Sequence, residues 1–150
     1  MIKSIHIVRR YFSFPVRRRK LLRQSLLVCG FLYLVLGRIS LKTILSFLRS
    51  REQAPCASLK GDIEKEEILW SVRVVTKRLP GATCLLRAIA AKYLLDRHGI
   101  RSCLRIGVRK ADTASLEAHA WITINGETVL GRVEDLDEYI PLPEFDPEQS

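Results

Sequence analysis

Leu79-Pro80-Gly81-Ala82-Thr83-Cys84-Leu85-Leu86-Arg87-Ala88-Ile89-Ala90-Ala91-Lys92-Tyr93-Leu94-Leu95-Asp96-Arg97-His98-Gly99 is a helix punctuated at both ends. A Pro-Gly turn leads in, Thr83 stands in N-cap position, an Ala/Leu-rich run follows, and Gly99 closes it. Cys84 therefore falls in the first helical turn. There the unpaired backbone N–H groups and the positive end of the helix dipole favour negative charge, and the thiolate is the reactive form of cysteine. Such a cysteine is half of a nucleophile, because its proton needs a base.

The candidate base lies downstream in Ala118-His119-Ala120-Trp121-Ile122-Thr123-Ile124, followed by Asn125-Gly126 and Glu127-Thr128-Val129-Leu130. β-Branched and aromatic residues on either side of Asn-Gly predict a two-residue hairpin over 118–131, with His119 on its first strand. Between the two candidates, Ile100 to Val108 reads as a strand with Leu104, Ile106 and Val108 on one face and Cys103, Arg105 and Gly107 on the other. A cysteine at a helix start and a histidine on a later strand is the order used by papain-like and transglutaminase-like thiol enzymes.

The chain of 150 residues is long enough for one domain with a real core and too short for two ordinary ones. An apolar content of 47% argues against disorder. The net charge of +9 is unevenly spread: residues 1–51 carry 12 Lys/Arg and no acid, whereas 134–150 carry 7 acids and no base. A basic third of this kind suits phosphates, anionic lipid or an acidic protein surface. Few aromatics interleave with those charges and no nucleic-acid motif is present, so no nucleic-acid partner is expected. Cys29, Cys56, Cys84 and Cys103 form no CxxC pair and sit in unlike contexts. A disulfide scaffold or structural zinc is therefore not expected, nor any other cofactor, and a reducing cytoplasm fits.

After Arg17-Arg18-Arg19-Lys20, the apolar run Leu26–Leu36 is 11 residues long, short of the ~20 that span a bilayer. The pattern predicts amphipathic helices over 18–37 and 40–50, packed on the domain or resting peripherally on the inner membrane face with the basic side outward. Residues 1–51 are thus a basic helical segment and 52–61 a linker containing Pro55, Ser58 and Gly61. A core of 62–142 begins with a helix from Asp62 whose apolar face is Ile68, Leu69, Val72, Val75 and Leu79. An acidic tail of 143–150 closes the chain, and the whole stretch from Arg132 is expected to be loosely held. The architecture is α+β, a cysteine helix on a short antiparallel sheet preceded by basic amphipathic helices.

Other residues have plainer readings. His98, beside Gly99, suits the negative end of the helix dipole, and His6 has no nameable partner. Cys103 is an alternative nucleophile that gains nothing from a helix dipole; Cys29 lies in the apolar run and Cys56 in the linker.

The set Leu79-Pro80, Cys84-Leu85, Arg87-Ala88, Leu94-Leu95, Arg97-His98-Gly99-Ile100, Leu104-Arg105-Ile106-Gly107-Val108 and Ala118-His119-Ala120-Trp121 resembles the transglutaminase-like cysteine protease of lasso-peptide biosynthesis, over about residues 18–142. The resemblance implies a leader peptidase acting on a ribosomally made precursor. It also implies a separate small leader-recognition protein, as in the split form of the family, and an asparagine-synthetase-like macrolactam cyclase. Within it, Cys84 is the nucleophile and His119 the base, and Trp121 is a candidate wall for a leader-reading pocket. A transglutaminase-like acyltransferase and a non-catalytic peptide-binding adaptor of the same fold are the alternatives.

The family commonly places an Asp about a dozen residues beyond the His to orient its ring. Here Gly131 and Arg132 stand at that point. With a two-residue turn His119 lies opposite Arg132, which cannot accept a proton from imidazole. Glu134 shares the face of His119 if the strand continues, and Asp135 would serve if a bulge shifts the register. A backbone carbonyl, or no third member, is the remaining alternative.

Overall fold

Among the described residues, three helices precede a four-stranded antiparallel sheet: α1 (Val16–Leu36), α2 (Asp62–Thr76), α3 (Cys84–Arg97), β1 (Cys103–Lys110), β2 (Leu116–Ile124), β3 (Glu127–Leu130), a 3-10 turn (Leu136–Glu138) and β4 (Ile140–Pro141). The sheet order is β3-β2-β1-β4, and the layout is the expected α+β. The structure, a computed structural model, describes residues 14–36, 62–110 and 115–142, with the side chains of 62 and 63 excepted. The helix expected over 40–50, the linker 52–61, His6, Cys56 and the tail 143–150 lie outside the described residues.

α3 is the axis of the fold. Its Leu86, Ala88, Ile89, Ala90, Ala91, Leu94 and Leu95 are all buried, because the helix packs on α1 and α2 on one side and on β2 and β1 on the other. A helix apolar around most of its circumference is the sequence mark of such a position. α2 contributes Ile68, Leu69, Val72 and Val75, and α1 contributes Leu21, Cys29 and Leu32 to the same core. α1 is therefore a layer of the domain. Small residues allow its close approach to α2, and the buried hydroxyls of Ser25 and Ser71 satisfy one another at 2.7 Å.

Two polar ties fix the C-terminal end of α3. The buried Lys92 donates to Asp96 Oδ1 at 3.1 Å and to the Ser102 carbonyl at 2.7 Å, which joins the helix to the entry of β1. A buried cation needs such partners. His98 is the C-cap residue, and its Nδ1 lies 2.9 Å from Glu64 Oε1 on α2. Its role thus includes an inter-helix tie that the dipole argument alone does not supply.

Alternation sets the faces of the sheet. Leu104 and Ile106 of β1, Ala120 and Ile122 of β2 and Leu130 of β3 join the helical core. Their neighbours along the strands, including His119 and Trp121, take the other face. Asn125 and Gly126 both have positive φ, 51° and 79°, as a tight hairpin of this hand requires. Ile124 pairs with Glu127 as expected, but the partner then jumps from Thr128 to Leu130 between Thr123 and Ile122. Val129 is the extra residue of a bulge, so the simple register that set His119 opposite Arg132 does not hold, and β3 ends at Leu130.

Residues 132–142 are not loose. The chain turns back so that Pro141 and Ile140 pair with Gly107 and Val108 of β1, and Leu142 N–H donates to the Ile106 carbonyl at 2.9 Å. The Arg109 guanidinium holds the segment, bonding to Asp135 and, at 3.1 Å, to Glu138. It also lies 4.9 Å from the Tyr139 ring centre.

Candidate active site

Cys84 opens α3 where the sequence places it. Thr83 is the N-cap, in extended backbone, and its side chain accepts from the Leu86 N–H at 3.2 Å. That cap fixes the first turn, and no acid occupies it. The thiol is free and half-buried, packed at the margin of the core. Arg87 follows one turn on, and its buried Nε has no hydrogen-bond partner among the described residues. A cation at this spacing adds to the positive field at the helix start.

His119 is held by a main-chain atom. Its Nε2 lies 2.7 Å from the carbonyl oxygen of Gly131. A carbonyl only accepts, so Nε2 carries the hydrogen and the neutral ring presents its lone pair on Nδ1. Gly131 is twelve residues beyond His119, where the resemblance implies an Asp. Its φ is 85°, and an added Cβ would sit 2.9 Å from the Ala120 oxygen and from Trp121 Cβ. Only glycine fits that combination without displacement.

Aromatic rings complete the setting. Trp121 stacks beside His119, ring centres 6.2 Å apart and planes at 17°, and Tyr139 lies 5.4 Å away at 47°. Gly107, opposite His119 in the β1–β2 register, makes room for both rings. A Cβ there would approach Trp121 Cη2 to 2.9 Å and Tyr139 Cβ to 3.0 Å. Rings around an imidazole limit its rotation and exclude water from its hydrogen bond. Trp121 is buried, as a core residue would be, while lying on the His119 face.

The carboxylates named for the third position stand elsewhere. Asp135 bonds to Arg109, with Glu117 and Glu138 as further partners of the same guanidinium. Hydrogen bonding to Glu117, then the Asp135 charge, holds Arg109 above its ordinary proton affinity. Glu134 is exposed, and the ring hydrogen bond of His119 goes to the Gly131 carbonyl. The acceptor for the His119 ring is thus a backbone carbonyl. A carbonyl leaves no mark in the sequence beyond the glycine that carries it.

α3 packs on β2 through the core face, whereas His119 lies on the opposite face with Trp121. Among the described residues, no hydrogen bond joins the Cys84 thiol to the His119 ring. Cys103 begins β1 opposite Thr123 and is half-buried. Cys29 is fully buried in the helical core, and burial pushes its thiol up to about 11.

The family model described as transglutaminase-like superfamily matches residues 14–144, which takes in every helix and strand among the described residues. No curated protein and no solved structure matches the chain.

Proposed function

We propose that this chain, which belongs to the transglutaminase-like superfamily, is a cysteine peptidase that removes the leader from a lasso-peptide precursor. The superfamily supports a peptidase or acyltransferase type of chemistry. The finer reading is supported by the motif set around Cys84, Gly107 and His119. The observation that carries it is the His119 tautomer: Nε2 is occupied by the Gly131 carbonyl, which leaves Nδ1 as the proton acceptor.

In this reading the Cys84 sulfur attacks the carbonyl at the leader–core junction as its proton passes to His119 Nδ1. The tetrahedral oxyanion accepts from the Cys84 backbone N–H, one of the unpaired donors of the capped helix start. Collapse breaks the C–N bond, and the proton on Nδ1 leaves with the amine. The same imidazole then takes a proton from water, which attacks the thioester and frees both the acid and the thiol. Hydrogen bonds of a nucleophile–base pair are often poorly aligned without substrate, and the reading requires Cys84 and His119 to close around the scissile bond. A separate small leader-recognition protein and an asparagine-synthetase-like cyclase are its partners, in the cytoplasm.

One observation favours a second reading. With Gly131 in place of a carboxylate, an imidazolium formed during reaction meets a carbonyl dipole and no full counter-charge, so a non-catalytic peptide-binding adaptor is the competitor. Precursor incubated with the chain and the leader-recognition protein distinguishes the cases by product mass. The peptidase yields leader and core, and Cys84→Ala and His119→Ala abolish both. An acyltransferase gives an adduct when an amine is added. An adaptor leaves the precursor intact.

A further inference from the structure

The outer face of α1 has no role in the chemistry above. The inner face carries Leu21, Ser25, Cys29 and Leu32, all buried. Helical spacing puts Lys20, Arg23, Leu27, Phe31 and Leu34 on the opposite side. Leu27, Phe31 and Leu34 are 73%, 65% and 66% exposed, with Leu26 and Tyr33 exposed beside them. Lys20 and Arg23, also exposed, lie on the same face one or two turns before. α1 holds no acid at all, and residues 1–51 hold none either. By contrast Arg17 and Arg18 turn inward to Glu64 and Glu67 of α2. The outward face is thus apolar over its C-terminal half and, apart from the exposed Val16, cationic over its N-terminal half.

We propose that this face docks the domain in plane on an anionic phospholipid surface. Leucine and phenylalanine side chains would enter the acyl boundary while Lys20 and Arg23 reach the phosphates. Charge complementarity selects this occupant: nucleic-acid phosphate would match the cations but leave three large apolar side chains in water. No described helix is long and apolar enough to cross a membrane. An in-plane helix of 21 residues lies along about 31 Å of the surface. The core-facing side of α1 points the rest of the domain away from the lipid.

The test is co-sedimentation of the full chain with vesicles of phosphatidylglycerol mixed into phosphatidylethanolamine, against vesicles of phosphatidylcholine alone. The wild type should sediment with the anionic vesicles and remain in solution with the neutral ones. Leu27→Gln/Phe31→Gln/Leu34→Gln should weaken the partition on the order of a hundredfold, and Lys20→Gln/Arg23→Gln on the order of tenfold. Both variants should melt with the wild type, since the changed side chains are exposed. Equal binding to neutral vesicles, or a triple variant that binds as the wild type does, overturns the proposal. So does a wild type that ignores both vesicles and self-associates through the same three residues, which would make the face an interface between copies.

Discussion

The Nε2 atom of His119 donates to the carbonyl oxygen of Gly131 across 2.7 Å, and the acceptor is main chain where the sequence resemblance implies a carboxylate. Orientation of the ring is thereby preserved, while the countercharge for an imidazolium is reduced to a dipole. The arrangement depends on a residue that has no side chain.

Gly131→Ala should therefore be costly. The positive φ of 85° and the 2.9 Å approach to Ala120 oxygen and Trp121 Cβ together predict a loss of about 2–4 kcal/mol. Gly131→Asp, although it supplies the carboxylate that the resemblance implies, meets the same clash and should lose stability as well. Denaturant unfolding checks both, and a wild-type midpoint for either variant refutes the glycine requirement.

Gly107→Ala probes the other side of the imidazole. Its methyl would press on Trp121 Cη2 and Tyr139 Cβ, so a cost of about 1–3 kcal/mol is expected. The aromatic circular-dichroism signal should change in the native state, because Trp121 must shift to accommodate the methyl. An unaltered spectrum at unaltered stability would mean that the rings do not lie over this position.

Arg109→Gln should release residues 132–142 without melting the helices. The guanidinium serves Glu117, Asp135, Glu138 and the Tyr139 ring at once, and glutamine lacks the charge and the fork. Amide exchange at Tyr139 and Leu142 should accelerate on the order of tenfold while α3 amides stay protected. Uniform acceleration would point to global destabilisation instead.

Cys29 gives a pH-dependent prediction with a definite sign. Burial keeps its thiol protonated to about 11, above the ordinary 9.0, so between those values the unfolded chain binds fewer protons than the folded one. Stability from this group is complete below pH 9 and declines as pH rises toward 11, at no more than about 1.4 kcal/mol per pH unit. In Cys29→Ala that component of the alkaline decline should vanish. Parallel stability–pH curves for the two proteins would contradict it.

Much of the frame was legible beforehand. Thr83 and Gly99 mark the ends of the cysteine helix, and Asn125-Gly126 marks the hairpin, because caps and tight turns restrict residue type locally. The bulge at Val129 was not legible, since an extra residue leaves no propensity signal, and with it went the position of the His119 partner. The hold on residues 132–142 was equally hidden. A Pro-containing acidic stretch has no apolar period, and its anchor is Arg109, distant in sequence. The uniform apolar run of α1 likewise concealed that Cys29 and Leu32 are inside while Phe31 and Leu34 are outside.

The rate at which iodoacetamide alkylates Cys84 at neutral pH with the leader peptide and its recognition protein bound, followed by peptide mass in wild type and His119→Ala, tests the central pairing most directly. If the imidazole takes the thiol proton, removing it should slow alkylation of Cys84 by on the order of tenfold or more, with Cys103 reacting at an unchanged rate. Equal rates at Cys84 in the two proteins would show that the histidine does not serve the sulfur, and the peptidase account would fail.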